Sequence, residues 1–301
     1  MTSTAARDET DPGTFADVQS GAVITPLEGP LGCRISGINL AEPLSDDMVR
    51  SIREAFLAHR LVVFPDQELD EAALVRVSHV FGDPVVHHVG EYLDQEFPQI
   101  MRLSNNVVDG KALGAPNNGI YWHSDQIFRE QPMLATLLYG VRTPVTSGGD
   151  TLFSDMHAAF DALPDELQQR LLPLKAVHSF VASYERNYVR ARILSAQEKA
   201  DNPDVVHPVV RTHPQTGRKS LFVDPDSVTR IQGLGEQESD ELLTFLFAHI
   251  ADDRFVYRHA WNQGDLAAWD NRCLMHCATG YDETSEIRLM FRTQTQGDRP
   301  F

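Results

Sequence analysis

Tyr121-Trp122-His123-Ser124-Asp125 places an imidazole and a carboxylate two residues apart. In an extended segment residues i and i+2 project from the same face, so both side chains can reach one metal ion. A short polar tripeptide of this kind recurs by chance, and its reading depends on a third ligand from elsewhere in the chain. The candidate lies far downstream in Trp269-Asp270-Asn271-Arg272-Cys273-Leu274-Met275-His276, where an apolar run ends in a histidine. Two histidines and one carboxylate form the facial donor set that leaves positions open on a non-haem Fe(II).

Beyond His276, the stretch Glu286-Ile287-Arg288-Leu289-Met290-Phe291-Arg292-Thr293-Gln294-Thr295 alternates like a strand. Period two puts Arg288, Met290, Arg292 and Gln294 on one face and Leu289, Phe291 and Thr293 on the other. Two guanidiniums beside an apolar Met290 are costly to bury without anionic partners. A dicarboxylate supplies such a partner, because the arginine fork matches a carboxylate in a way that lysine does not.

These residues resemble the taurine dioxygenase and 2,4-dichlorophenoxyacetate dioxygenase family of Fe(II)/2-oxoglutarate-dependent oxygenases. The resemblance runs from about residue 20 to about residue 300. It rests on Trp122-His123-Ser124-Asp125, Ser147-Gly148-Gly149-Asp150-Thr151, His207-Pro208-Val209-Val210-Arg211-Thr212-His213-Pro214, Trp269-Asp270-Asn271-Arg272 with His276, and Arg288-x-x-x-Arg292. It implies that His123, Asp125 and His276 hold Fe(II), with 2-oxoglutarate and O2 as co-substrates. It implies further that Thr151 and Arg288 bind the distal carboxylate of 2-oxoglutarate and that Arg292 faces the acidic group of the substrate. His87 falls where the family has a substrate-binding histidine, and a structural histidine is the competing reading. Thr151 alone also reads as a residue of ordinary β-propensity. Asp125 separates the chain from related halogenases, which the resemblance implies would carry a small residue there.

The expected reaction is hydroxylation of a C–H bond in a small anionic substrate, a sulfonate, sulfate or carboxylate, with succinate and CO2 as co-products. Desaturation or ring closure begins with the same hydrogen abstraction. Gly119 and Ser227 stand where the taurine enzymes carry larger contacting side chains, and Arg288 and Arg292 could share the charge of 2-oxoglutarate. The competing function is a cupin-like protein that binds a metal or a small acid without turnover, since a barrel alone is no warrant for catalysis. A zinc hydrolase ranks third, for want of a general base beside the triad.

Many short strands with helices early and late predict a mainly β protein with flanking helices, a double-stranded β-helix of the jelly-roll or cupin-like kind. Such a barrel brings His123 and His276 to one open mouth. Residues 1–21 are rich in Thr, Ser, Ala, Asp and Gly and read as a flexible tail ahead of a single domain over 22–301. No apolar run approaches the roughly 20 residues of a membrane span, and the tail has no secretory pattern, so a soluble, cytoplasmic protein is expected. A formal net charge of −17, from 26 basic and 43 acidic residues, argues against a nucleic-acid partner. Homo-oligomerisation is what similar proteins imply. Cys33, Cys273 and Cys277 form no even framework; a zinc cluster of Cys273, His276 and Cys277 is weaker than packing as small apolar residues.

Along the chain, Ala22 to Leu40 predicts a strand pair, Ser45 caps a helix, and Leu61 to Phe64 is a buried strand. A second helix is predicted over about 70–81 with Gly82 as its stop. The Asn- and Gly-rich stretch from Ser104 to Ile120 reads as a lid over the site or as a plain surface loop. Met133 to Val141 is a strand buried on both faces. Helices are predicted over 156–162 and 164–172, the latter with Pro164 in its first turn. From Ser183 to Asp204, Arg186, Arg190 and Arg192 either extend an anion pocket or form a solvated helical face. Glu236 to Ile250 has the apolar stripe of an amphipathic helix, and His259 is read as structural.

Overall fold

The computed structural model describes residues 15–16, 21–86, 92–115, 119–146, 148–187 and 193–301. Most of the expected tail lies outside the described residues; within it Phe15–Ala16 pairs as an edge strand with Val23–Pro26. His87, Arg190 and Arg192 also lie outside them.

The frame is an eight-stranded sheet ordered Phe15–Ala16, Val23–Pro26, Cys33–Ser36, Leu61–Phe64, Leu266–Asp270, Ala135–Arg142, Leu289–Gln294 and Met101–Ser104. Its centre is the apolar run 135–142, where Leu137 faces Ala268 on one side and Thr293 on the other. Alternate residues serve opposite faces. Ala135, Leu137 and Tyr139 join the outer cluster with Ile52, Phe56, Leu74 and Val77, whereas Leu138 turns inward. Against the inner face lies a three-stranded sheet of Val256–His259, Thr151–Asp155 and Leu274–Ala278. Leu61, Val63, Leu138, Trp269 and Met290 of the large sheet meet Phe153 and Leu274 of the small one between them. Burying each such side chain contributes about 1.5–3 kcal/mol, and the two facing sheets form the expected jelly roll.

The flanking helices follow from their caps and stripes. Asp46–His59 begins where the Ser45 hydroxyl accepts from Met48 N and ends at Arg60, whose φ of 68° breaks the helix. It lays Ile52, Ala55 and Phe56 on the outside of the large sheet. The second helix is shorter than its periodicity predicts, Glu71–Ser78, and the chain continues to Phe81 in turns whose amides bond three residues back, while the Ser78 hydroxyl bonds Leu74 O and Thr293 Oγ1. Pro164 caps Asp165–Leu171 from outside its first turn. Glu236–Ile250 matches its prediction and buries Leu242, Leu243, Leu246 and Ile250. A helix at Phe180–Asn187 opens the charged segment, which leaves Phe180 and Tyr184 one turn apart. The stretch 104–120 is only partly loop, since Val107–Val108 pairs with Lys111–Ala112. Among the described residues no helix is long and apolar enough to cross a membrane.

Candidate active site

His123 and His276 meet through a two-residue antiparallel bridge. The amide of His123 donates to His276 O at 3.0 Å, and the amide of His276 donates to His123 O at 2.9 Å. The strand Leu274–Ala278 thus carries one histidine to the other, and their ring centroids lie 4.2 Å apart. Asp125, two residues on, places Oδ1 3.9 Å from His123 Nε2 and Oδ2 3.7 Å from His276 Nε2. The ligand atoms of all three lie within 4.8 Å of one another.

The rings are held in a form suited to a metal. His123 Nδ1–H donates to Tyr121 O at 2.8 Å, which leaves the Nε2 lone pair facing Asp125. His276 Nδ1 is buried with no hydrogen-bond partner, and its ring is fixed instead by Trp269 and Phe153 at centroid distances of 4.6 and 6.2 Å. Burial and the neighbouring His123 push the His276 imidazole down to about 3 against the pull of Asp125, so it is neutral at physiological pH. Burial raises the Asp125 carboxyl, but His276, Arg292, His123 and the Thr136 hydroxyl together hold it below the usual carboxylate range. Two imidazoles, that of His276 neutral, and a carboxylate held below its usual range converge on one point and fit a divalent metal.

A polar network behind Asp125 escaped the sequence reading. Thr136 Oγ1 donates to Asp125 Oδ2 at 2.6 Å and accepts from Asn271 Nδ2 at 2.9 Å and from Gln294 Nε2 at 3.2 Å. Asn271 Oδ1 in turn accepts from Trp269 Nε1 at 3.1 Å. The only signal for it is a threonine inside the apolar run Leu134-Ala135-Thr136-Leu137-Leu138. Thr136→Val removes the donor to Asp125 and leaves two buried donors unpaired. Metal affinity is expected to fall roughly 10–100-fold, read by titration with Co(II).

The predicted co-substrate residues face the same cavity of about 230 Å³, which Thr151, Arg288, Arg292, Trp269, Leu138 and the triad line together. Thr151 Oγ1 accepts from Trp261 Nε1 at 3.0 Å, which orients the hydroxyl. Arg288 lies just before the strand Leu289–Gln294, whose register shifts between Leu289 and Met290, so the expected strand is shorter at this end. Its amide donates to Asn105 Oδ1 at 3.0 Å, but its Nε is buried without a partner among the described residues. Burial draws this guanidinium down to about 10, against Tyr281 and Asp150, and it stays charged at neutral pH.

Arg292 also lines the cavity but is partly occupied. Its Nη1 is 3.6 Å from Asp125 Oδ1 and its Nη2 is 2.9 Å from Met101 Sδ. Gly119 lines the wall at φ +81°, where an added Cβ would come within 3.0 Å of His123 Cε1. Ser227 does not line the cavity. Its hydroxyl bridges Asp224 Oδ1 at 2.9 Å and His178 Nδ1 at 3.2 Å, and Asp226 lines the cavity in its stead.

The zinc set of Cys273, His276 and Cys277 does not assemble. Among the described residues Cys273 groups instead with His213 and Asp270, and that aspartate is already saturated by Arg272 and His213. Burial pushes the Cys277 thiol up to about 11, so both cysteines pack as neutral residues. His259 sits 3.4 Å from Asp265 and 4.5 Å, ring to ring, from Trp261, a structural placement.

Residues 24–294 match the family described as Taurine catabolism dioxygenase TauD, TfdA family. The alpha-ketoglutarate-dependent 2,4-dichlorophenoxyacetate dioxygenase of Cupriavidus pinatubonensis is 33% identical over 280 residues, 89% of this chain and 95% of that protein. The alpha-ketoglutarate-dependent sulfate ester dioxygenase of Pseudomonas putida is 31% identical over 92% of this chain and 90% of that one. Among solved structures, a taurine dioxygenase from Burkholderia xenovorans superposes with a TM-score of 0.78 at 29% identity, covering 93% of this chain and 91% of that chain.

Proposed function

The chain belongs to the taurine catabolism dioxygenase TauD, TfdA family, an alpha-ketoglutarate-dependent dioxygenase, and from that membership we propose that it uses Fe(II) to hydroxylate a small anionic sulfonate, sulfate ester or carboxylate. His123, Asp125 and His276 are the ligands in this reading. The observation that carries it is the convergence of two imidazoles and one carboxylate on a cavity that also holds an arginine, Arg288, whose Nε has no partner among the described residues. When bound, the metal supplies the activation of O2 coupled to oxidative decarboxylation of 2-oxoglutarate, which yields succinate and CO2.

The protein's own groups bind and orient. Arg288 offers a guanidinium and Thr151 a hydroxyl, already turned by Trp261, to the distal carboxylate of 2-oxoglutarate. The pairing satisfies a cation that is otherwise costly to bury. Thr136 holds Asp125 in one orientation, and Tyr121 O sets the tautomer of His123. Leu138, Trp269 and Phe128 wall the cavity with apolar surface, which excludes water from the substrate carbon. The acidic group of the substrate lies toward the arginines.

Anaerobic addition of Fe(II) and 2-oxoglutarate to metal-free protein is expected to produce a weak visible charge-transfer band. His123→Ala should remove the band and Arg288→Ala should weaken it, with roughly tenfold or more 2-oxoglutarate needed to restore it. Fe(II) binding with no band would instead favour a metal site without this chemistry.

A further inference from the structure

Asp125 is followed by Gln126 with φ +53°, a left-handed turn held by its side chain, whose Nε2 donates to Gln294 Oε1 at 3.1 Å. Without that turn the chain would run on along the ladder. With it, Phe128 and Arg129 both line the active-site cavity. The turn is braced again at Arg129, whose amide donates to Gln126 O at 2.9 Å and whose carbonyl accepts from His207 Nε2 at 2.9 Å. The backbone is therefore anchored on both sides, and the side chain is what remains to act.

That side chain has no hydrogen bond or ion pair among the described residues, and its Nε is buried and unpartnered. The other cavity arginines are in different positions. Arg288 is the partner proposed for 2-oxoglutarate, and Arg292 already leans on Asp125 and Met101. With 2-oxoglutarate in place, its two carboxylates and Asp125 balance a divalent ion and Arg288. Among the described residues, Arg292, Arg129 and one carboxylate, Asp226, face the rest of the cavity, so the substrate meets an excess of positive charge there. Next to Arg129, Phe128 packs edge-on to Phe180 at 5.3 Å, and Phe180 lies 5.9 Å from Tyr184; all three line the same cavity. A cation without a partner among the described residues, set beside an aromatic wall, matches an anion with an apolar body.

We propose that Arg129 is a specificity-determining residue, which receives the acidic group of a monoanionic substrate whose apolar body lies along Phe128, Phe180 and Tyr184. The assignment rests on the dioxygenase reading above and goes further, by placing recognition on the turn after the proposed ligand Asp125 as well as on the strand of Arg292.

The test uses the full-length, Fe(II)-loaded protein with phenoxyacetate, hexyl sulfate and hexanesulfonate, each against its uncharged counterpart: phenoxyacetamide for the first and hexanol for the others. In Arg129→Gln the KM of the best-used anion should rise about tenfold or more with kcat changed less than about threefold, and the preference for anion over uncharged counterpart should fall by a similar factor. Arg129→Lys, which keeps the charge and loses the fork, should recover part of the KM. An unchanged KM, a loss confined to kcat, or an equal loss for anion and uncharged compound would overturn the assignment, as would failure of the wild type to turn over any of the three anions. The charge-transfer band separates the two failures. If it forms, only the Arg129 proposal falls; if it does not, the reading beneath falls with it.

Discussion

Truncating His276 to alanine is expected to abolish turnover in the presence of Fe(II), 2-oxoglutarate and substrate. The ring offers one of three candidate ligand atoms grouped within 4.8 Å, and without it a metal at this point would be held by two side chains, His123 and Asp125. A bound metal is worth several kcal/mol of barrier lowering, so its loss corresponds to ~10³-fold or more in rate. The backbone bridge between residues 123 and 276 uses no side-chain atom, so the strand pairing should survive. What is lost structurally is the packing of the ring on Trp269 and Phe153. A thermal melt should therefore show folded protein while succinate release, measured by chromatography, drops below detection. Succinate release at a rate near that of the wild type would remove His276 from the ligand set. A protein that merely bound small acids would keep its ligand affinity in this variant.

The second large effect lies behind the site, at Asp270. It is 1% exposed, and its carboxylate accepts from Arg272 Nε at 2.8 Å, from Arg272 Nη2 at 2.6 Å and from His213 Nε2–H at 3.0 Å. The histidine is fixed in that role because the amides of Gln215 and Thr216 donate to its Nδ1. Together these groups tie the hairpin Val210–Thr212/Lys219–Leu221 to the turn between the strands Leu266–Asp270 and Leu274–Ala278. Arg272→Leu strands a buried carboxylate and should cost about 3–5 kcal/mol, measured by urea unfolding. That is a large part of the roughly 5–15 kcal/mol by which a domain is stable.

The same carboxylate sets a pH dependence. Burial raises the Asp270 carboxyl, but Arg272 and His213 outweigh it and hold the folded value below the ordinary one. A depressed folded pKa means that the stabilisation is fully present above the unfolded value of about 3.9 and is lost as pH falls toward the folded value. Asp270→Asn should therefore be less stable at pH 7 and lose less on acidification below about pH 4. Parallel stability curves for the two proteins across that window would count against the account.

Local chemistry explains which features were readable in advance. The helix Glu236–Ile250 and the strand Leu61–Phe64 announce themselves because burial imposes their periods directly on the residues. His123-x-Asp125 stands out because two candidate ligands lie on one short segment, and Arg288 and Arg292 because a charge in an apolar alternation needs a partner. At the end of the second helix the Ser78 hydroxyl meets that of Thr293, 215 residues away, and no local pattern encodes that contact.

By itself, then, the sequence determined the jelly-roll class and the family, since both depend on residue types in short motifs taken in order. Tertiary structure alone decided what surrounds them. The Thr136–Asn271–Gln294 network behind Asp125, the lean of Arg292 on that carboxylate, the presence of Asp226 and not Ser227 on the cavity wall and the placement of Arg129 there without a partner among the described residues all depend on segments far apart in the chain. Such contacts follow from how two sheets and their turns close on one another, and a buried polar group shows its partner only once the chain has brought the two together.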